Sequence, residues 1–152
     1  MSTPAQRKLR IAAVVAVLLS VLLLGLTSCP SNRDGMPGRL AAAKEEAQSA
    51  ARSAALSLQL WSDRRATRAL ASVQLSDARD DVVKAYQGVA TLRAEDPVDR
   101  GRQAFLIGWM TTLVGDLNAA VDAVQALPGH PDPAPLRRRL LDGAAALEAG
   151  YR

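Results

Sequence analysis

Residue types that carry out chemistry are sparse in this chain. Cys29 is its single cysteine and His130 its single histidine, which excludes a disulfide framework, a cysteine-rich zinc site and a Cys/His nucleophile pair within a compact core. His130 lies among prolines in a predicted loop, where Asp132 is the only obvious carboxylate to orient it. The sequence also lacks a Gly-rich phosphate loop and a dinucleotide-binding pattern. We therefore expect the protein not to be an enzyme.

Three aspartates form the densest cluster of possible metal ligands. Asp77, Asp80 and Asp81 are spaced to share one face of a helix, as a divalent-metal site or an acid/base pair requires. Arg79 and Lys84 lie beside them, so a solvated acidic face is the simpler interpretation. Di-iron bundles use Glu-x-x-His pairs, and no predicted helix contains a histidine. The sequence predicts no metal and no cofactor.

Arginines form two separate groups. Arg137, Arg138 and Arg139 begin the last predicted helix, where they could contact lipid head groups or anionic envelope polymers. A run of three spreads over about 200° of a helix, so it does not form one focused patch. The second group, at positions 64, 65 and 68, lies at a predicted helix junction and could serve a partner or keep a turn soluble.

The net charge of +4 does not indicate a nucleic-acid-binding protein. Arg7, Lys8 and Arg10 stand in the first ten residues, and without them the excess of basic over acidic side chains falls to one. The rest of the chain lacks clustered basic residues interleaved with aromatic ones. We expect no nucleic-acid partner.

Aromatic residues make up only 3% of the chain, so Trp61 and Trp109 are expected inside the core. Trp109 is also a candidate for a partner or ligand surface, because aromatic side chains are frequent at binding hot spots. In an alternative interpretation, Phe105, Trp109 and Met110 line a site for an apolar ligand. Gly108 and Gly115 share a helix face and could admit a close helix crossing, within the fold or with a second copy.

The first thirty residues have the organisation of an export signal. A basic segment ending at Arg10 is followed by an apolar run from Ile11 to Leu26. The run ends in Leu26-Thr27-Ser28-Cys29, which resembles the lipobox of bacterial lipoprotein precursors. The resemblance implies cleavage before Cys29 and acylation of its thiol, which would anchor the protein to a bilayer.

This resemblance divides the chain into a signal peptide (1–28), a flexible Pro- and Gly-containing tether with lipidated Cys29 (29–38) and a helical domain (39–152). It places the protein on the extracytoplasmic side of the cell membrane. The apolar run is shorter than the roughly 20 residues of a comfortable membrane span. A single-pass protein with an uncleaved anchor and a basic cytoplasmic flank nevertheless remains open.

Apolar residues recur at three- and four-residue steps after residue 39, which predicts helices. A charged stretch at 62–68 favours a break with Thr67 as the cap of a second helix, although one helix over 39–94 remains possible. The predicted apolar positions of this second helix are Leu70, Val73, Leu75, Ala78, Val82, Tyr86, Val89 and Leu92. Asp96-Pro97 predicts another helix start, whose apolar stripe is Leu106, Met110, Leu113, Leu117, Val121 and Val124. Asp132-Pro133 predicts the start of a last helix with Leu136, Leu140, Ala144 and Leu147 on one side.

Three or four helices with short connections predict a small antiparallel all-α bundle. Scarce aromatic residues argue against a β fold. The expected function is non-catalytic binding or scaffolding at the cell envelope, with the lipid bilayer and an envelope protein as partners.

Overall fold

The computed structural model describes residues 35–125 and 133–151. In these ranges the chain forms four α-helices: α1 (Met36–Ser62), α2 (Arg68–Ala90), α3 (Pro97–Gln125) and α4 (Pro133–Gly150). Each helix packs along the next in the chain, and α4 packs along α1. The predicted all-α bundle is confirmed, with four helices.

Pairs of residues across the interfaces show that neighbouring helices are antiparallel. Gly143 of α4 lies against Leu113 of α3, and Gly150, farther along α4, lies against Phe105, which comes earlier in α3. Tyr151, at the end of α4, donates a hydrogen bond to the carbonyl of Pro37 at the start of α1. The bundle therefore has an up-down-up-down topology.

The first helix begins earlier than the sequence predicts. It starts at Met36 with Pro37 in its first turn, and Gly38 is already buried. Proline is well suited to this position because its fixed φ matches the helix and its missing N–H would have no helical partner. Residues 36–38 thus belong to the bundle and not to the predicted tether.

Residues 39–94 form two helices, as the charged stretch favours. Arg64 adopts a left-handed conformation with φ of 57°. The N–H of Arg65 donates to the carbonyl of Leu60 at 2.8 Å, and the N–H of Arg64 donates to the carbonyl of Trp61 at 3.0 Å. These two hydrogen bonds are the Schellman pattern of a helix end. Thr67 then caps α2, because its hydroxyl accepts a hydrogen bond from the Leu70 N–H.

The predicted start of α3 is also confirmed. Asp96 Oδ1 accepts the N–H groups of Val98 at 2.7 Å and Asp99 at 3.3 Å, and Pro97 is the first helical residue. Gln103, two turns in, donates its amide to the carbonyls of Val89 and Leu92 at 2.8 and 2.9 Å. This side chain ties the end of α2 to α3.

The six residues of the predicted α3 stripe are all buried. Each fully buried Leu contributes about 2 kcal/mol of transfer free energy. From α4 they meet Leu136, Leu140, Ala144 and Leu147, as predicted. The contribution of α1 is mostly alanine, which permits close helix approach: Ala47, Ala50, Ala51, Ala54 and Ala55.

Among the described residues, α3 alone is long and apolar enough to span a bilayer, with a mean hydropathy of 1.4 in its most apolar window. Core helices of water-soluble bundles meet the same criterion of length and composition. Here the apolar stripe of α3 faces the other helices of the bundle.

Several predicted core positions lie elsewhere. Trp61 and Trp109 are half-buried at the edge of the core; Trp109 comes three residues after Leu106 and one before Met110, so it lies beside the centre of the buried stripe. Leu70 and Val73 of α2 are 49% and 57% exposed; the buried stripe of that helix instead follows Ala71, Leu75, Ala78 and Val82.

The four described helices do not form the predicted close crossing at Gly108 and Gly115. Both residues face outward, and a Cβ added to either would meet nothing within 4 Å. The close contacts are made instead by Gly143 and Gly150 of α4, where an added Cβ would collide with Leu113 and Phe105. Gly108 and Gly115 do share one face of α3, as their spacing predicts, but the opposite face of that helix packs against the bundle.

Candidate functional site

A groove runs along the surface between α1 and α2. Its volume near the middle of the two helices is about 470 Å³. The lining residues of α1 are Glu46, Ser49, Ala50, Ser53, Leu56, Ser57 and Leu60, and those of α2 are Gln74, Asp77, Ala78 and Asp81. Small side chains dominate the α1 wall, so another chain can approach its backbone closely. We call this feature the α1–α2 groove.

Exposed apolar side chains border this groove. Leu56, on its α1 side, is 55% exposed. Leu70 and Val73 precede the lining residues Gln74 and Asp77 by one helical turn each and therefore lie over the same face of α2. These three are among the five large apolar side chains that are exposed in the described part of the chain. Most of the large apolar side chains that are exposed in the described residues therefore lie beside this groove.

One lining residue carries an unsatisfied polar atom. The Oε1 atom of Gln74 is buried and accepts no hydrogen bond from residues 35–125 and 133–151. Leaving a buried acceptor unpaired costs about 1–3 kcal/mol, so such atoms are rare in folded proteins. A donor supplied by an occupant of the groove would remove this cost.

The charged residues in the middle of the groove are acidic: Glu46, Asp77 and Asp81 line it there. Toward the start of α1 the groove continues past Glu46, and Arg39 and Lys84 line that part. Asp80 instead forms an ion pair with Arg79 at 2.8 Å. Within residues 35–125 and 133–151, no group of three His, Cys, Asp or Glu side chains is arranged to hold a metal. The aspartate cluster therefore divides between the groove and an exposed ion pair.

The three arginines at the start of α4 point in different directions. Arg139 pairs with Asp116 of α3, with its Nε 2.9 Å from Oδ1. Arg137 lines a cleft between the end of α1 and the start of α4, with Asp63 opposite. Arg138 is exposed. As their angular spread predicts, they do not form one patch.

The predicted apolar-ligand residues form part of the folded core. Met110 is fully buried. Phe105 and Trp109 pack together in a tilted arrangement with ring centroids 6.4 Å apart, and Phe105 also touches Gly150. A ligand would have to displace these contacts to reach Met110.

Leu26, Thr27, Ser28 and Cys29 lie outside the described residues, as do His130 and Asp132. Lipidation of Cys29 therefore stays a prediction from the sequence motif.

Comparison with known proteins gave no match: no family model, no curated protein and no solved structure is similar to the chain. The groove residues were missed at the sequence level, apart from the aspartates. One feature of the sequence could have predicted the groove: Leu70 and Val73 lie on a second apolar face of α2. This face is distinct from the buried face that contains Ala71, Leu75 and Ala78.

Proposed function

We propose that the protein is an exported lipoprotein, anchored to the membrane through acylated Cys29, and that its bundle is a non-catalytic binding module. The binding face is the α1–α2 groove, and its occupant is an amphipathic helix of an envelope protein. The observation that carries this proposal is the clustering of Leu56, Leu70 and Val73 around a groove with small wall residues.

The chemistry of the groove specifies the helix that fits it. Helices pack at 8–10 Å only where the contact residues are small enough, and Ser49, Ser53 and Ala50 meet that condition. An apolar stripe on the partner helix covers the exposed leucines. Lysine or arginine beside the stripe complements Glu46, Asp77 and Asp81, which favours correct partners over acidic ones.

The lipid anchor is supported by the Leu26-Thr27-Ser28-Cys29 motif. Extended chain between Cys29 and Met36 covers at most about 25 Å. An acylated Cys29 therefore keeps the bundle close to the bilayer that it is anchored to. Multiple acyl chains at about 0.8 kcal/mol per buried methylene provide stable attachment.

The anchor is tested by intact mass of the chain extracted from bacterial membranes. We expect a chain that begins at Cys29 and carries acyl mass, and a Cys29→Ser variant that accumulates as an unacylated precursor. Thr27→Ala is the matched control, since it keeps a small residue in the motif and should be processed normally. A chain that retains its first residues with a free Cys29 thiol contradicts the lipoprotein proposal and identifies a permanent anchor.

The groove is tested with a photo-crosslinking amino acid at position 56 in living cells, with position 141 as the control on another face. The crosslinked segment of the partner, identified by peptide mapping, is then synthesised and titrated against the purified chain. We expect a helical, basic segment whose affinity falls at least about tenfold in a Leu56→Glu/Val73→Glu variant. Equal losses in that variant and in Leu141→Glu, or an acidic crosslinked segment, contradict the proposal.

A further inference from the structure

Two arginine groups that are far apart in the sequence lie at the same end of the bundle. The end of α1 and the start of α4 share a cleft lined by Ser62, Asp63, Pro133 and Arg137. Arg64, Arg65 and Arg68 follow directly after α1, and Arg138 follows Arg137. We call this end, defined by arginines 64, 65, 68, 137 and 138, the arginine end.

The guanidinium groups of the arginine end differ from those of the paired arginines of the described helices. Four other arginines, at positions 52, 79, 102 and 139, form ion pairs with carboxylates. In the described part of the chain, no ion pair involves any of the five at the arginine end. Asp63 and Asp122, in the last turn of α3, are the carboxylates at this end of the described helices. The helix dipoles nearly cancel because α2 and α4 begin here while α1 and α3 end here.

Arg64 occupies a position at which glycine is the most stable residue. Its φ of 57° is left-handed, and it stands at the position after the helix cap that is usually glycine. An L side chain is strained in this conformation. Arg65, Arg68 and Arg138 at the same end are also exposed, and Arg137 is half-buried. The fold thus keeps a charged side chain at a position where glycine would be less strained.

We propose that the arginine end binds an anionic polymer whose charges repeat along its chain. Arginine forks pair with phosphate or carboxylate oxygens through two parallel hydrogen bonds. A polymer reaches the arginines of the α1–α2 turn and those of α4 together, so each contact raises the effective concentration of the next.

The choice of a polymer over a bilayer rests on the proposed lipid anchor. Helix α1 has 27 residues and is therefore about 40 Å long. The arginine end lies at the far end of α1 from Met36, the described helical residue nearest Cys29 in the sequence. Along the chain, the arginine end is therefore farther from the proposed anchor than the end at which α1 begins.

The test uses the chain purified from membranes in neutral detergent, with its N-terminus established by intact mass. Fluorescent long-chain inorganic polyphosphate is the probe, and inorganic phosphate and phosphatidylglycerol vesicles are the comparison ligands. The variant is Arg64→Gln/Arg65→Gln/Arg138→Gln. The control, Arg39→Gln/Arg93→Gln/Arg100→Gln, removes the same charge from exposed arginines at the other end of the bundle.

We expect the variant at the arginine end to lose at least about tenfold in polyphosphate affinity and to show a shallower dependence of affinity on salt. The control should stay within about twofold of the unmodified chain. Equal losses in the two variants show an effect of net charge alone and overturn the proposal. Absence of polyphosphate binding, or tighter binding to vesicles that the same variant abolishes, also overturns it.

Arg64→Gly separates binding from folding. Glycine relieves the left-handed strain, so the midpoint of thermal unfolding should rise while polyphosphate affinity falls. If the stability rises and the polyphosphate affinity is unchanged, Arg64 does not contribute to the binding surface. Binding by an unacylated chain with an intact arginine end contradicts the lipid anchor only, whereas an acylated chain that does not bind contradicts only the polymer site.

Discussion

Gly143 of α4 lies directly against Leu113 of α3: a Cβ added to Gly143 would come within 2.7 Å of Leu113 Cδ2. Leu113 is fully buried, so it has little room to move away. The absence of a side chain at Gly143 therefore sets the distance between these two helices.

Replacing Gly143 by Val should destabilise the protein by about 2 kcal/mol, because the added methyl groups overpack the α3–α4 contact. The measurement is the free energy of unfolding from a denaturant titration. Gly115→Ala is the control, since nothing stands within 4 Å of its added Cβ. Alanine in that exposed helical position should stabilise the protein by about 0.5–1 kcal/mol. Equal effects at the two glycines would show that this contact does not limit helix spacing.

Gln103→Met should cost about 1–3 kcal/mol, because it removes the donor shared by the carbonyls of Val89 and Leu92. Amide hydrogen exchange adds a local measurement, with faster exchange expected in the last turn of α2. A uniform change along the chain would instead indicate a general loss of packing.

Gln74→Met should increase the stability of the protein, whereas Gln103→Met should decrease it. It removes the buried, unpaired Oε1 while keeping a flexible side chain of similar length, and we expect a gain of up to about 1 kcal/mol in the free energy of unfolding. The same variant should weaken binding of the partner helix if a donor on that helix pairs with this oxygen. Loss of stability would mean that the rest of the Gln74 side chain contributes more than the unpaired oxygen costs.

Tyr151 should make stability sensitive to high pH. Burial raises the pKa of its phenol above the usual 10.0, opposed by the nearby Arg102 guanidinium and reinforced by Asp99. Because the pKa of the Tyr151 phenol is higher in the folded protein than in the unfolded chain, its contribution to the free energy of unfolding is fully present below pH 10. This contribution is lost as the pH rises through the pKa of the folded protein. Tyr151→Phe should flatten the stability curve above pH 10. Ultraviolet titration of the phenolate measures the shift directly.

The starts of α2 and α3 were predictable because local chemistry determines them, whereas the start of α1 at Met36 was not. Asp96 before Pro97 and Thr67 before Arg68 satisfy the free N–H groups of the next helix, whatever that helix packs against. The apolar stripe of α3 was predictable for a related reason, since spacing along one helix establishes which residues share a face.

The partners of each face were not predictable, because periodicity does not show what covers a face. Gly143 shares a helix face with Leu140 and Leu147, whereas Gly108 lies opposite the apolar stripe of α3; which helix each face meets is given only by the packing of α4 on α3. The same limit applied to Leu70 and Val73, whose face remains open as one border of the α1–α2 groove. The arginine end required the topology, since residues 64 and 138 are brought together by the pairing of α1 with α4.

The packing of α4 along α1 also constrains the order of events during synthesis. Gln48 of α1 donates to the carbonyl of Ala144 at 3.0 Å, and Arg52 pairs with Glu148 at 2.9 Å. Among the four described helices α1 is synthesised first, and α4, which covers it, is synthesised last, so much of the alanine face of α1 stays exposed until α4 is available. A nascent chain of this design cannot complete its fold early, and it stays open to chaperones and proteases for longer than a bundle closed by neighbouring helices alone.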